Sequence, residues 1–338
     1  MKVLGLISSI TDPASRFRIM QYKKPLGELG SNLKYSIPYL PKDSDPSRLV
    51  FKSKKLWHMC QVTGRLKLLP QQYFYDIVWQ NRLLLYNHFS IEKFIKKPHV
   101  FDMDDAIWLT EGEKQVNLAI QKSTMVFAGN EYLAEYCSRI NSNTTIIPST
   151  IDTSVFKPLA QLNSSYVLGW IGTKSNFPYL ELIKQPDLQF LQETKNTKLI
   201  IVSTEQPETF SFDNERIIFK HWSAEKENEL INEFSTGLMP LADNNWTKGK
   251  CSYKMLQYMA CGKPVIVSPV GLNKNILDHS KAGIAAISEP GWLKAMHDLK
   301  NDPALYTAYA EKGRPFVEEK YSCSKWAVII NNHFKELC

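Results

Sequence analysis

The chain has 338 residues, a length that favours two domains over one. Apolar residues make up 43% and charged residues 22% of it, values that are typical of a globular protein and exclude extended disorder. No stretch approaches the roughly 18 uninterrupted apolar residues of a membrane-spanning helix. The six cysteines are scattered without a Cys-x-x-Cys pair, so neither a disulfide framework nor a structural zinc site is expected. We therefore expect a reducing, cytoplasmic location.

Positive charge is concentrated in the first half of the chain. Residues 1–150 contain 20 lysines and arginines against 13 aspartates and glutamates, whereas residues 151–338 contain 21 of each. This distribution predicts an anionic partner for the first half, such as a membrane surface, a diphosphate or a nucleic acid, although a solvated charged helix is an equally open interpretation. The excess is densest over 42–70, in Lys42, Arg48, Lys52, Lys54, Lys55, Arg65 and Lys67.

Short apolar runs alternate with helical patterns along the first half. One helix is predicted to begin at Asp12-Pro13, where a capping residue precedes a proline at the first helical position. Another is predicted over 130–139, with Asn130 as its cap. The predicted strands are residues 2–8, 33–37, 76–79, 99–103, 124–128 and 144–147.

A segment rich in proline, serine and threonine at 147–165 separates this series from a second one. Strand–helix alternation indicates parallel sheets with right-handed crossovers, so the two series predict an α/β protein of two Rossmann-like domains facing each other across a cleft. Ligands of such sheets bind at the carboxyl ends of the strands. The second series of predicted strands is 166–171, 198–203, 216–219, 237–241, 264–267 and 283–287.

The most informative segment is 248–267, which predicts a loop, a short helix and a buried strand. Ser252 is expected to cap the helix and Gly262 to take the left-handed conformation at its end. The N–H groups of a helix N-terminus favour an anion. Lys254, in the first turn, therefore indicates an anionic partner, and Gln257 is able to hydrogen-bond a ribose diol. A surface loop followed by an ordinary core helix is the alternative.

This segment resembles the signature of glycosyltransferase family 4, whose members have the GT-B fold. This chain differs from the family at two positions where glutamates are usual, because these positions are Gly249 and Gln257 here. The variant is similar to one branch of the family and leaves the donor sugar open. Further similar segments lie at 14–18, 100–108, 129–133, 147–148, 151–152, 169–173 and 321–322.

The resemblance implies that the second domain binds a nucleotide-diphosphate sugar. The turn that begins at Gly172 is suited to hold a diphosphate through its backbone N–H groups. Trp222 would meet the nucleotide base, with a core tryptophan as the open alternative. The predicted donor-binding residues are Gly172, Thr173, Lys174, Trp222, Gly249, Lys250, Cys251, Ser252, Tyr253, Lys254 and Gln257.

The sequence Asp102-Met103-Asp104-Asp105 has two interpretations. It contains Asp-x-Asp, the metal–diphosphate motif of the other large glycosyltransferase fold, but this pattern is weak. In a GT-B protein the segment would line the acceptor side, where Asp104 or Asp105 orients the acceptor hydroxyl. The predicted catalytic residues are therefore Asp104, Asp105 and Lys254, and we expect neither a catalytic metal nor a cofactor.

The resemblance implies that Arg16 and Arg18, which follow the first strand, lie on the acceptor or phosphate side, and Arg82 at the end of another strand is a similar candidate. A structural salt bridge is the open alternative for each of them.

These expectations describe a retaining glycosyltransferase of cell-surface polysaccharide synthesis. Residues 1–155 would bind the acceptor, residues 156–321 the donor, and a closing helix at 322–337 would pack back on the first domain. The expected partners are a nucleotide-diphosphate sugar, a glycan or lipid-linked acceptor and the anionic inner face of a membrane, with no nucleic acid. A nucleotide-sugar epimerase of the same fold and a non-catalytic nucleotide-sugar-binding protein are the alternatives.

Overall fold

The chain forms two compact units. The computed structural model describes residues 1–38, 54–85, 91–160, 165–210 and 215–338. Unit 1 comprises Met1–Thr150, Gly249–Cys251 and Cys323–Cys338, and unit 2 comprises Ile151–Lys248 and Ser252–Ser322. The division falls at Thr150 where the sequence suggested residue 155, and Gly249–Cys251, expected in the second domain, belongs to unit 1.

Unit 1 is built on a parallel sheet that, within the described residues, has six strands in the order β2-β1-β3-β4-β5-β6. Every residue of β3, β4 and β5 is buried, as expected for parallel strands covered on both faces. All six strands predicted for the first half are confirmed. They are β1 Lys2–Leu6, β2 Asn32–Ser36, β3 Ile77–Asn81, β4 His99–Met103, β5 Met125–Ala128 and β6 Thr144–Ile146.

Both predicted helix starts of unit 1 are confirmed. The Asp12 carboxylate accepts a hydrogen bond from the backbone N–H of Ser15 at 2.8 Å, and Asn130 Oδ1 accepts one from Leu133 at 2.9 Å. The helices are α1 Pro13–Arg18, α2 Lys23–Glu28, α3 Lys54–Leu66, α4 Leu68–Gln71, α5 Glu113–Lys122, α6 Glu131–Ser138 and, at the end of the chain, α15 Cys323–Leu337.

The closing helix α15 is part of the core of unit 1. Its side chains Ala327, Ile330 and Phe334 are buried in the same hydrophobic cluster as Trp79 of β3. The rings of Trp79 and Phe334 meet edge to face, with centroids 5.4 Å apart. The last helix of the chain therefore packs on the first sheet.

Unit 2 contains a second parallel sheet, with six strands in the described residues in the order β12-β11-β10-β7-β8-β9. All six strands predicted for the second half are present, so the predicted α/β class with two Rossmann-like domains is confirmed. The strands are β7 Tyr166–Ile171, β8 Thr197–Ser203, β9 Ile217–His221, β10 Thr236–Met239, β11 Val265–Val267 and β12 Gly283–Ala285.

The helices of unit 2 bury one hydrophobic cluster on each face of this sheet. Phe234, Met255 and Tyr258 lie in one cluster, and Trp170 and Trp292 lie in the other. The helices are α7 Phe177–Glu181, α8 Lys184–Glu193, α9 Glu227–Asn232, α10 Asn245–Lys248, α11 Tyr253–Ala260, α12 Leu272–Ser280, α13 Glu289–Asn301 and α14 Pro303–Lys320.

Part of the predicted basic face, including Lys42, Arg48 and Lys52, lies outside the described residues. Arg65 of α3 was expected on that face, but it is buried. In the part of the chain that the structure describes, no helix is both long and apolar enough to cross a membrane.

Candidate functional site

The carboxyl edge of the unit 2 sheet brings Lys254 next to the turn after β7. The Lys254 ammonium lies 4.7 Å from the centroid of the Trp170 ring, a cation–π contact. A Cβ atom at Gly172 would lie only 2.9 Å from this ammonium nitrogen, so glycine leaves room for the approach. The first turn of α11 and the turn after β7 therefore meet at a positively charged position.

The N-terminus of α11 differs from the prediction. Ser252 was expected to cap the helix with its side chain, and this expectation is wrong, because Ser252 has a left-handed backbone (φ 54°, ψ 24°) and makes no side-chain cap hydrogen bond. A serine cap requires an extended backbone. The first N–H groups of α11 thus lack the cap that the sequence suggested, which favours an anion at this end of the helix. Gly262 has φ 70°, which confirms the predicted left-handed residue after the helix.

Gln257 pairs with a buried carboxylate. Its Nε2 donates to Glu227 Oε1 at 2.9 Å, and both side chains are less than 5% exposed. Since a carboxylate only accepts hydrogen bonds, the amide nitrogen of Gln257 must face Glu227. Sequence reasoning missed Glu227, because it belongs to a charged run that is typical of a solvated helix start. Only its burial in the fold distinguishes it.

Two predicted donor-binding side chains have other partners in unit 2. Lys174 forms an exposed ion pair of 2.7 Å with Glu205, and the hydrogen bond to Glu205 raises the pKa of Lys174. Trp222 is partly buried against the hydrophobic cluster, and its backbone N–H donates to Ser203 at 2.9 Å. Contact of either residue with a nucleotide stays a prediction.

Arg18 and Asp102 form a buried ion pair in unit 1. Arg18 Nε and Nη2 reach the two carboxylate oxygens at 2.7 and 3.2 Å, and Trp79 Nε1 donates to the same carboxylate at 3.1 Å. Arg18 also donates to the Ile147 carbonyl at 2.7 Å. Burial raises the pKa of Asp102, against the opposing effect of Arg18. For Arg18 and Asp102 the structure therefore favours the alternative of a structural salt bridge.

Arg82 links the two predicted catalytic carboxylates. Its Nε and Nη2 donate to both oxygens of Asp104 at 2.7 and 3.0 Å, and Nη2 also reaches Asp105 at 2.5 Å. Arg82 itself has a left-handed backbone with φ 54°. The cluster is only partly exposed, at 23% for Arg82, 12% for Asp104 and 16% for Asp105.

The environment of this cluster separates the pKa values of its two carboxyl groups. Burial acts to raise the pKa of Asp104, but the charge of Arg82 prevails and holds it below its usual value. Burial raises the pKa of Asp105, and Lys250 and Arg82 only partly oppose it. Carboxyl pairs whose pKa values are driven apart are suited to divided acid and base roles.

The side chain of Gln80 forms a hydrogen bond with the backbone of Arg82. Its Nε2 donates to the Arg82 carbonyl at 2.8 Å and to Glu92 at 3.0 Å, while its Oε1 lies 3.1 Å from His99 Nε2. Burial lowers the pKa of His99 to about 3, so the ring stays neutral. In the sequence, the only sign of this network is that the polar residues Gln80 and His99 lie within largely apolar strands. Neither residue was among the predicted site residues.

The tripeptide Gly249–Cys251 packs on the loops after β4 and β5. A Cβ atom at Gly249 would lie 2.7 Å from the Ala106 backbone nitrogen, and one at Gly129 would lie 2.3 Å from Cys251 Sγ. Asn130 Nδ2 donates to the Lys250 carbonyl at 3.2 Å. These close contacts explain why the tripeptide belongs to unit 1 and not to the second domain.

The remaining predicted residues have local partners. The guanidinium of Arg16 lies 4.9 Å from the Phe17 ring centroid, and Thr173 Oγ1 lies 3.0 Å from Ser175 Oγ in the turn after β7. Burial raises the pKa of the Cys251 thiol well above its usual value, so this thiol stays protonated. Among the described residues no group of three or more His, Cys, Asp or Glu side chains is arranged to hold a metal ion, and metal independence stays a prediction.

The sequence of unit 2 identifies a known domain. Residues 175–302 match the family model described as glycosyl transferases group 1. This glycosyltransferase group 1 domain includes α11 with Lys254, and also Trp222 and the Glu227–Gln257 pair. Together with the fold, the match confirms the predicted enzyme class, a GT-B glycosyltransferase. The narrower assignment to glycosyltransferase family 4 stays a prediction.

Solved structures show the same fold over the whole chain. Sucrose-phosphate synthase from Thermosynechococcus elongatus is 14% identical, with a TM-score of 0.72 over 100% of this chain and 99% of that one. HepE of Anabaena, in complex with UDP and glucose, is 12% identical, with a TM-score of 0.71 over 99% and 100%. A glycosyltransferase from Rickettsia africae is 11% identical, with a TM-score of 0.70 over 99% and 98%. None of the curated proteins matches the chain significantly in sequence.

Proposed function

We propose that the protein is a retaining glycosyltransferase that moves a sugar from a nucleotide-diphosphate sugar to a hydroxyl group of a glycan or lipid-linked glycan in cell-surface polysaccharide synthesis. The observation that supports it most is the position of Lys254 in the glycosyltransferase group 1 domain, above Trp170 and beside the Gly172 turn. A cation at a helix N-terminus is unfavourable unless it has an anionic partner. The diphosphate of a nucleotide sugar is suited to bind at this ammonium group.

In the proposed reaction the bond between the sugar C1 and the diphosphate oxygen breaks, and C1 bonds to the acceptor oxygen on the same face. Lys254 and the first N–H groups of α11 stabilise the negative charge that develops on the leaving diphosphate. The acceptor proton passes to a base. Asp104 is suited to that role, because Arg82 keeps it ionised and fixes its position. The proposal requires no metal.

Unit 1 is proposed to bind the acceptor and to contact an anionic membrane surface. Support comes from the charge excess of residues 1–150 and from exposed apolar side chains around α3. Met59 is 61% exposed and Phe74 is 74% exposed, so both side chains are available to contact an apolar phase. Basic residues beside such side chains favour reversible membrane association.

Nucleotide binding and sugar transfer test this function together. The melting temperature of the protein should rise with UDP or another nucleoside diphosphate, because a ligand that binds only the folded state stabilises it. HepE was captured with UDP, so UDP is the first nucleotide to use. Lys254→Ala should weaken this response and slow transfer by about 10²-fold, as expected for the loss of one electrostatic stabiliser.

Lys274→Ala is the matched control, because Lys274 is an exposed lysine of α12 paired with Asp278. Sugar release without any acceptor would favour the epimerase, and binding without turnover across an acceptor screen would favour the non-catalytic protein. Unchanged affinity and rate in Lys254→Ala would refute the role of this lysine.

A further inference from the structure

Helix α3 has an unusual distribution of polar and apolar side chains. Gln61 and Arg65, one turn apart, are buried at 7% and 3% exposure. In contrast, Leu56, Met59 and Leu66 of the same helix are 46%, 61% and 46% exposed. A helix on a protein surface normally buries its apolar stripe and exposes its polar one. Helix α3 therefore presents the polar side chains of Gln61 and Arg65 to the interior of the protein.

Arg65 is a buried cation whose hydrogen-bonding capacity is largely unused. Its Nη2 donates to the Ile7 carbonyl at 3.0 Å, whereas Nε and Nη1 donate to no atom in the described part of the chain. Burial lowers the pKa of Arg65 to about 10, against the opposing charge of Glu92. Buried charges in proteins are normally paired, because an unpaired one has lost its hydration without compensation.

The position of Arg65 is the one at which this kind of sheet binds ligands. Ile7 directly follows β1, so the guanidinium contacts the carboxyl end of that strand. Glu92 is engaged elsewhere, since its Oε1 accepts hydrogen bonds from Gln80 Nε2 and from the backbone of Leu84. Within residues 1–38, 54–85 and 91–150, therefore, the Nε and Nη1 donors of Arg65 have no anionic partner, and a bound anion would supply one.

We propose that Arg65 anchors a phosphate-binding site of unit 1, and that its ligand is a phosphate group of the acceptor. This assignment rests on the acceptor role proposed above for unit 1. A phosphate group offers several charged acceptor oxygens to a guanidinium and forms strong charge-assisted hydrogen bonds with it. The charge excess of residues 1–150 favours an anionic ligand on the same unit.

The test uses the full chain and inorganic phosphate at constant ionic strength. The melting temperature of the parent should rise with phosphate concentration, and Arg65→Met should respond at least about tenfold more weakly, because charge-assisted hydrogen bonds to the ligand are lost. Without phosphate, Arg65→Met should be at least as stable as the parent, since the uncompensated buried cation is gone. Arg65→Lys, which keeps the charge but not the planar fork, should respond with intermediate strength.

Arg139→Met is the matched control, because Arg139 is an exposed arginine of unit 1 paired with Glu135. It should respond to phosphate like the parent. A second arm replaces inorganic phosphate with phosphatidylcholine vesicles that contain phosphatidic acid. An Arg65-dependent response to inorganic phosphate indicates a soluble phosphate group, and one to vesicles alone indicates a lipid headgroup.

A parent that responds in neither arm, or an Arg65→Met variant that responds like the parent, overturns the proposal. The UDP response separates this outcome from a failure of the proposed function. Arg65→Met should keep the UDP-induced rise in melting temperature, and Lys254→Ala should keep the part of the phosphate response that Arg65→Met removes. If UDP does not raise the melting temperature of the parent, the proposed donor site is refuted, whereas the proposal for Arg65 is unaffected.

Discussion

Gln257 donates its side-chain amide to the carboxylate of Glu227 at 2.9 Å, and both groups are buried within unit 2. A glycosyltransferase family 4 protein would usually have a glutamate at position 257. In this chain the glutamine supplies an amide donor to Glu227, whereas a second buried carboxylate at this position would repel it.

Replacing the amide by a carboxylate tests this pairing. Gln257→Glu should lower the free energy of unfolding by about 2–4 kcal/mol at pH 7, since two buried carboxylates then repel each other and a hydrogen bond is lost. The loss should shrink as the pH falls, because protonating one carboxyl group restores a donor. Urea unfolding at several pH values measures both effects. The exchanged double variant Glu227→Gln with Gln257→Glu should recover most of the stability, and no recovery would contradict the pairing.

Asp187 on α8 should make the stability of unit 2 fall as the pH rises. Its side chain is fully buried, neither carboxyl oxygen has a hydrogen-bond partner in the described residues, and burial raises the pKa of Asp187 well above its usual value. The folded state therefore holds this proton at pH values at which the unfolded chain releases it. Stability is lost between the usual pKa of an aspartate and the raised one, by at most about 1.4 kcal/mol per pH unit.

The isosteric variant Asp187→Asn removes this titration. Urea unfolding of both proteins between pH 4 and pH 8 should give similar stabilities at pH 4 and a growing advantage for the variant above it. Asp298→Asn serves as a control, because Asp298 on α13 lies on the surface, paired with Lys294. If the free energies of unfolding of Asp187→Asn and the parent change with pH in parallel, Asp187 is not protonated in the folded state and this prediction is wrong.

The structure also shows which features a sequence can predict. The strands were predictable because each is a short apolar run, and the caps at Asp12 and Asn130 were predictable because they act within three residues. Ser252 was mispredicted for the opposite reason. Ser252 has a left-handed backbone and directly follows the tripeptide Gly249–Cys251, which packs against residues more than 100 positions away, such as Asp104. Contacts between residues so far apart cannot be read from a single sequence.

The sequence also did not reveal which charged residues are buried. Arg18 pairs with Asp102, 84 residues away, and Glu227 pairs with Gln257, 30 residues away. Arg65 was placed on a basic face because its sequence neighbours are charged, but the fold turns it inward. A single sequence shows the charges of these residues but not which side of an element faces the sheet.

Arg82 should set the pH dependence of sugar transfer. If ionised Asp104 accepts the acceptor proton, the acid limb of kcat/KM reflects the pKa of Asp104, which Arg82 holds down. Arg82→Ala removes the largest influence that lowers the pKa of Asp104 and leaves only the weaker ones of Arg18 and Asn81 against burial. The acid limb should therefore move to higher pH, and the rate at neutral pH should fall by about tenfold or more. Rates measured from about pH 3 to pH 9, a range that includes the usual pKa of an aspartate, check the shift. An unchanged acid limb would show that Asp104 is not the base, and Arg139→Ala should leave the profile as in the parent.

Substitutions at Gly129 and Cys251 should have coupled effects on the free energy of unfolding. A Cβ atom at Gly129 would lie 2.3 Å from Cys251 Sγ, whereas its next neighbours, Asp104 Cα and the Met103 carbonyl, would lie at 3.3 and 3.4 Å. Gly129→Ala should therefore cost about 1–3 kcal/mol of unfolding free energy through overpacking. Cys251→Ala should cost about 1 kcal/mol, because the contact from Sγ to the Asp104 carbonyl at 3.1 Å is lost.

The double variant Gly129→Ala with Cys251→Ala decides whether this contact holds the tripeptide Gly249–Cys251 on unit 1. Removing Sγ leaves the new Cβ atom with neighbours no closer than about 3.3 Å, so the two losses should sum to clearly more than the loss in the double variant. A coupling energy of about 1 kcal/mol or more is expected for residues in such direct contact. Urea unfolding of the parent, both single variants and the double variant measures it. Strictly additive losses would show that the thiol does not pack against Gly129, and would remove the steric reason for a glycine at that position.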